Sequence, residues 1–147
     1  MHRRWFLVAV VAALCGVLSL GAVATAGEAA LSEKEWRKAA GSICRKANLL
    51  SDDVQQEVLG DLAPDAQPSL AQITAYVAGI EPIVDRLVDR IDALHEPKKL
   101  EQKVKRFVKT ARRELDRLVA DPSIGLEGNP FSDTSLRAAA LGVKSCS

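Results

Sequence analysis

Residues 69–97 read SLAQITAYVAGIEPIVDRLVDRIDALHEP. Within this stretch Leu70, Ile73, Val77, Ile80, Val84, Leu87, Ile91 and Leu94 recur at intervals of three and four. At about 100° per residue, that spacing holds them on one face of an α-helix. Ser69 is placed to cap the helix start. His95-Glu96-Pro97 ends it, because proline lacks an amide donor and crowds the turn before it. Gly79 and Pro82 lie inside the periodic run and predict a bend that lets the helix wrap its core.

The pattern repeats on both sides. Upstream, Ser32-Glu33-Lys34-Glu35 forms a capping box, in which hydroxyl and carboxylate satisfy otherwise unpaired amides. From there Trp36, Ala40, Ile43, Ala47, Leu50, Val54 and Val58 make a second apolar stripe, closed before Pro64 and Pro68. Downstream, a third helix is predicted from about Lys98 to Ala120, with Leu100, Val104, Phe107, Ala111, Leu115 and Leu118 inward and Asp121-Pro122 as its stop. Ser123 to Gly128 reads as a loop, and Asn129-Pro130 as cap and first position of a short last helix reaching Leu141. Gly142 supplies a left-handed terminator. No alternating run reads as a strand. The fold class is therefore all-α, an up-down antiparallel helical bundle of three long helices and a short C-terminal one.

Composition sets the address. The chain has 147 residues, 48% of them hydrophobic, and the first 26 positions are unusually apolar. His2, Arg3 and Arg4 precede an uncharged run from Trp5 to Gly27, and Ala24-Thr25-Ala26 offers the small-x-small site of a signal peptidase. Residues 1–26 thus read as a signal peptide and 27–147 as one domain. A retained membrane anchor is the alternative, since about 20 apolar residues suffice to span a bilayer. Arg3-Arg4-Trp5-Phe6-Leu7 resembles a twin-arginine motif, with ordinary secretion the default. Cys15 follows a bulky Leu14 and reads as part of the apolar run. Beyond residue 26, with Arg3 and Arg4 removed, 18 basic side chains face 19 acidic ones. Such balance excludes a nucleic-acid binder held by net charge.

Cys44 and Cys146 would then sit in a compartment that permits oxidation and pair as a structural disulfide. No Cys-x-x-Cys points to redox work. In an up-down bundle the end of the last helix falls beside the early turns of the first, where Cys44 lies.

Ile43-Cys44, Glu81-Pro82-Ile83, Glu96-Pro97 and the ending Leu141-Gly142-Val143-Lys144-Ser145-Cys146 together resemble a group of small exported helical proteins abundant in high-GC Gram-positive bacteria. The resemblance spans most of the chain after residue 26. It implies a secreted or envelope-attached bundle whose first and last helices are stapled, and it carries over no functional residue. Many members of the group bear a lipoprotein signal, which is missing here.

Three constellations carry chemical possibilities. Glu81, Asp85, Asp89 and Asp92 form a carboxylate stripe along one flank of the second helix. Its expected role is to make salt bridges to the third, since a ferritin-like di-iron site needs two Glu-x-x-His motifs and His95 is the only histidine after residue 26. No metal or cofactor is expected. The third helix carries Lys98, Lys99, Lys103, Lys105, Arg106, Lys109, Arg112, Arg113 and Arg117, with four acids between Glu96 and Asp116. Lys98, Lys99, Lys105, Arg106, Lys109, Arg112 and Arg113 are the candidate contacts to an anionic envelope polymer or lipid headgroups, a protein partner being the other possibility. Nucleic acid is disfavoured because no aromatics are interleaved. Tyr76, Trp36, Phe107 and Phe131 are read as core, with a ligand pocket as the alternative. His95, at a helix end, suits the dipole.

No catalytic motif assembles: there is no Gly-x-Ser-x-Gly elbow and no phosphate loop. The expectation is a non-enzymatic exported module acting by interaction, secreted or at the cell envelope. The alternative is a carrier of a small apolar ligand in the bundle core.

Overall fold

The computed structural model describes residues 30–63 and 66–147; the expected signal peptide and its rival anchor lie outside the described residues. The described chain is all-helical. Its elements are α1 (Glu33–Leu59), α2 (Leu70–Asp92), α3 (Glu101–Ala120), the single turn α4 (Ile124–Glu127), α5 (Ser132–Leu141) and a closing 3-10 turn (Lys144–Cys146). α1 packs on α2, α2 on α3 and α3 on α5, while the closing turn returns to α1 and completes the ring.

Local chemistry sets the helix starts. Ser32 and Glu35 form the expected capping box, the Ser32 amide donating to Glu35 Oε2 at 3.0 Å. The Ser32 hydroxyl and amide hold the Glu35 carboxyl below its ordinary value. Ser69 caps α2 with an additional partner, because Gln72 completes a second capping box by accepting from the Ser69 amide at 2.9 Å. α2 runs unbroken through Pro82. Ala78 and Pro82 are both exposed, so water can reach the carbonyl that proline leaves without a donor. At Gly79 a Cβ would overlap a Val54 methyl, so its hydrogen lets α1 and α2 approach closely.

Several boundaries differ from expectation. α3 begins at Glu101 rather than Lys98, because Pro97 to Leu100 close a turn, the Leu100 amide donating to the Pro97 carbonyl at 2.7 Å. Buried Leu100 anchors that turn. The segment read as a loop contains the short α4, with Gly128 at φ 148° after it. Leu70 and Leu50, placed inward by periodicity, are 54% and 38% exposed. An apolar stripe defines a helix face but not how far the neighbours extend along it.

α5 is started by a residue from another helix. Asn129 does not cap it; its Oδ1 instead accepts from the Phe131 amide at 2.9 Å in a local turn. The cap is Glu114 of α3. Its carboxylate accepts from the amides of Asp133 at 3.2 Å and Thr134 at 3.1 Å and from the Thr134 hydroxyl at 2.6 Å. Glu114 is 6% exposed, and these donors are what make burial of its charge tolerable.

The core has two parts. The larger gathers Trp36, Ala40, Cys44, Val88, Ile91, Val104, Phe107, Ala111, Ala138 and Leu141 around the disulfide end. The smaller joins Ile73, Val77, Ile80 and Leu118, covered by Ile124, Tyr76 and Phe131. At only 10 residues, α5 spans less than half of α1, so the fourth wall of the bundle is incomplete between the two.

The Cys44–Cys146 disulfide closes the ring across a Cα–Cα distance of 5.2 Å. It belongs to a longer seam on one face of α1. Arg37 Nε donates to the Leu141 carbonyl at 2.9 Å, the Ser145 hydroxyl to the Gly41 carbonyl at 3.0 Å, and Asn48 Nδ2 to the Ser145 carbonyl at 3.0 Å. Residues 37, 41, 44 and 48 are spaced by four, three and four, which is one helix face. Gly142, left-handed at φ 76°, turns the chain back towards that face.

Candidate functional site

The basic candidates all lie on the outer surface of α3 and the turn before it. Lys98, Lys99, Lys103, Lys105, Arg106, Lys109, Arg112, Arg113 and Arg117 are exposed, opposite the buried Val104, Phe107, Ala111, Leu115 and Leu118. Acids hold three of them. Lys105 Nζ pairs with Glu101 at 2.6 Å, which lowers the carboxyl and raises the ammonium through their shared hydrogen bond. Arg112 forks to Asp89 at 3.0 Å and Asp92 at 3.3 Å on α2, and Arg113 reaches Asp133 on α5 at 3.5 Å.

The expected bridges between the acidic stripe and α3 therefore run through Asp89 and Asp92 into Arg112, and Glu81 and Asp85 take no part in that fork. Arg112 and Arg113 brace the flanks of α3. Lys98, Lys99, Arg106 and Lys109, which form no ion pair among the described residues, keep their charge turned to solvent. A second basic cluster escaped sequence reasoning because its members come from two helices. Lys46, Arg86 and Arg90 rim a shallow hollow of about 70 Å³ floored by Ile43, Ala47, Leu50, Ile83 and Leu87.

Of the four aromatics read as core, Trp36 and Phe107 are buried at 1% and 2% exposure, whereas Tyr76 and Phe131 are only partly covered. Tyr76, Phe107 and Phe131 line a cavity of about 200 Å³ with Ile80, Val84, Leu87 and Ala111; Trp36 stands away from it. The cavity occupies the gap that the short α5 leaves between the two core clusters. Asn48, Ser51, Tyr76 and Thr134 contribute its polar groups, and no charged side chain lines it among the described residues. Burial, and secondarily the nearby Asp52 charge, raise the Tyr76 hydroxyl above its ordinary value of 10.0. A second hollow of about 200 Å³ shares the wall of Tyr76, Ile80 and Phe131 and continues over Ile73, Val77 and Leu118.

Among the described residues, no cluster of three or more His, Cys, Asp and Glu is placed to hold a metal ion, and no helix is long and apolar enough to cross a membrane. The His95 carbonyl accepts from the Leu31 amide at 2.9 Å, tying the approach to α1 to the end of α2. Set against known proteins, the chain matches no family model, no curated protein and no solved structure.

Proposed function

We propose that this protein is an exported, non-catalytic helical module that works at the cell envelope or outside the cell by interaction, with the basic face of α3 as its contact to an anionic envelope polymer or lipid headgroups. The observation that carries this reading is the exposure of that face and of the turn before it, where Lys98, Lys99, Arg106 and Lys109 form no ion pair among the described residues while Arg112 and Arg113 pair with α2 and α5. Flanking pairs hold the helix in place, and the unpaired cations are available to an external anion. The disulfide is compatible with the oxidising compartment this requires.

Vesicle binding tests it. A cation near an anionic leaflet contributes about 1 kcal/mol, so replacing all four by Gln should weaken binding to phosphatidylglycerol vesicles by a factor on the order of a hundred to a thousand. Binding by the parent should also fall as salt rises. Equal binding to phosphatidylcholine vesicles, or indifference to salt, would overturn the reading.

A second reading, a carrier of a small apolar ligand, is favoured by one observation: the cavity between the core clusters, apolar in most of its lining, with the partly covered Tyr76 and Phe131 in its wall. Bundle interiors are a common place for such sites.

A further inference from the structure

We infer that the cavity takes an uncharged, compact apolar molecule carrying a single hydrogen-bonding group, such as a medium-chain alcohol or a monocyclic phenol. The inference rests on the carrier reading and adds the chemistry of the ligand. Size is the first constraint. An apolar cavity of about 150 Å³ lined by Leu, Ile and Phe takes up benzene, so about 200 Å³ gives room for about eight carbons.

Charge is the second. The deep wall is Ile80, Phe107 and Ala111, at 4%, 2% and 1% exposure, and an ion placed there would lose its hydration without a counter-charge. Asp52, close enough to act on the Tyr76 hydroxyl, further disfavours an anion at the mouth. A cation would be stranded among apolar side chains once inside.

Hydrogen bonding is the third. Asn48 donates one of its two amide hydrogens to the Ser145 carbonyl, and Thr134 donates its hydroxyl hydrogen to Glu114. The Ser51 and Tyr76 hydroxyls make no such bond among the described residues and can each donate or accept. One polar head therefore has partners among Asn48, Ser51 and Tyr76, while the rest of the molecule meets a mostly apolar lining.

The test uses the disulfide-intact chain and the neutral monocyclic probe 4-fluorophenol, followed by fluorine NMR and displaced by 1-octanol, octanoate or octylammonium at neutral pH. Saturable binding of one probe per chain is expected, with octanol displacing it at a concentration at least tenfold below either ion. Ser51→Phe fills the mouth from a half-buried position, and Ala111→Leu fills the cavity from within. Each should weaken probe binding at least tenfold with an unchanged far-ultraviolet dichroism spectrum; if Ala111→Leu fails to fold, Ser51→Phe decides. Absence of saturable binding, or indifference to Ser51→Phe, overturns both the inference and the carrier reading. Saturable binding lost in Ser51→Phe, but with either ion displacing as well as octanol, overturns the neutral-ligand inference alone.

Discussion

Removing the Glu114 carboxylate should uncouple α5 from the bundle. In Glu114→Met the side chain keeps its length and much of its volume, but every acceptor is lost. The amide and hydroxyl of Thr134 are buried and would be left without partners, while the more exposed Asp133 amide can turn to water. Each orphaned buried donor costs about 1 to 3 kcal/mol. Relief of burying the carboxylate offsets part of this, which leaves a net loss of about 3 kcal/mol. For a domain of this size that corresponds to a fall in Tm of roughly 10 to 15 °C. Urea denaturation of the oxidised protein measures the loss, and amide exchange locates it, with the Thr134 to Ala138 amides gaining the most. A double-mutant cycle with Thr134→Val should return a coupling of at least about 1 kcal/mol. Were Glu114→Met as stable as the parent, or its added exchange spread evenly over α1 to α3, the claim that a carboxylate from α3 starts α5 would be refuted.

Gly79→Ala should destabilise by about 1 to 3 kcal/mol, although alanine is the better helix former by about 1 kcal/mol, because the new methyl overlaps stiff Val54; adding Val54→Ala should restore most of the loss in the same denaturation assay. Reducing Cys44–Cys146, which closes a loop with a sequence separation of 102, should cost up to about 4.7 kcal/mol by chain entropy, and a reduced protein that melts at the oxidised Tm would contradict this. Tyr76 is the only tyrosine, so absorbance near 295 nm reports it alone. Its folded pKa is raised, so its contribution to stability is complete below pH 10.0 and is lost as pH rises through the folded value. The titration midpoint should exceed 10.0 and fall part of the way back in Asp52→Asn; a midpoint at or below 10.0 would show that the hydroxyl is not in the cavity wall.

The apolar intervals of three and four, the Ser32 and Ser69 caps and the stops at Pro97 and Pro122 determined three long helices, because each depends on neighbours within about one turn. Gly142 as a left-handed terminator was legible for the same reason. Cys44 and Cys146, the two cysteines after residue 26, determined the staple once antiparallel packing was granted. The basic surface of α3 followed from lysines and arginines opposite its apolar stripe. The second capping box was also present, in Ser69 and Gln72, but only the serine was read. Glu114 left a fainter signal: it lies four residues before Leu118, on the apolar register, where a lone carboxylate needs a partner.

Tertiary structure alone decided the rest. It shows that Glu114 rather than Asn129 starts α5, since the donors and the acceptor lie about 20 residues apart and meet only when α3 and α5 pack. It makes Arg112 a brace to α2 and leaves Lys109 exposed, a difference that charge counting cannot register. It also opens the cavity at Tyr76 and Phe131, because periodicity specifies the direction in which a side chain points and carries no information about whether a neighbour is long enough to cover it.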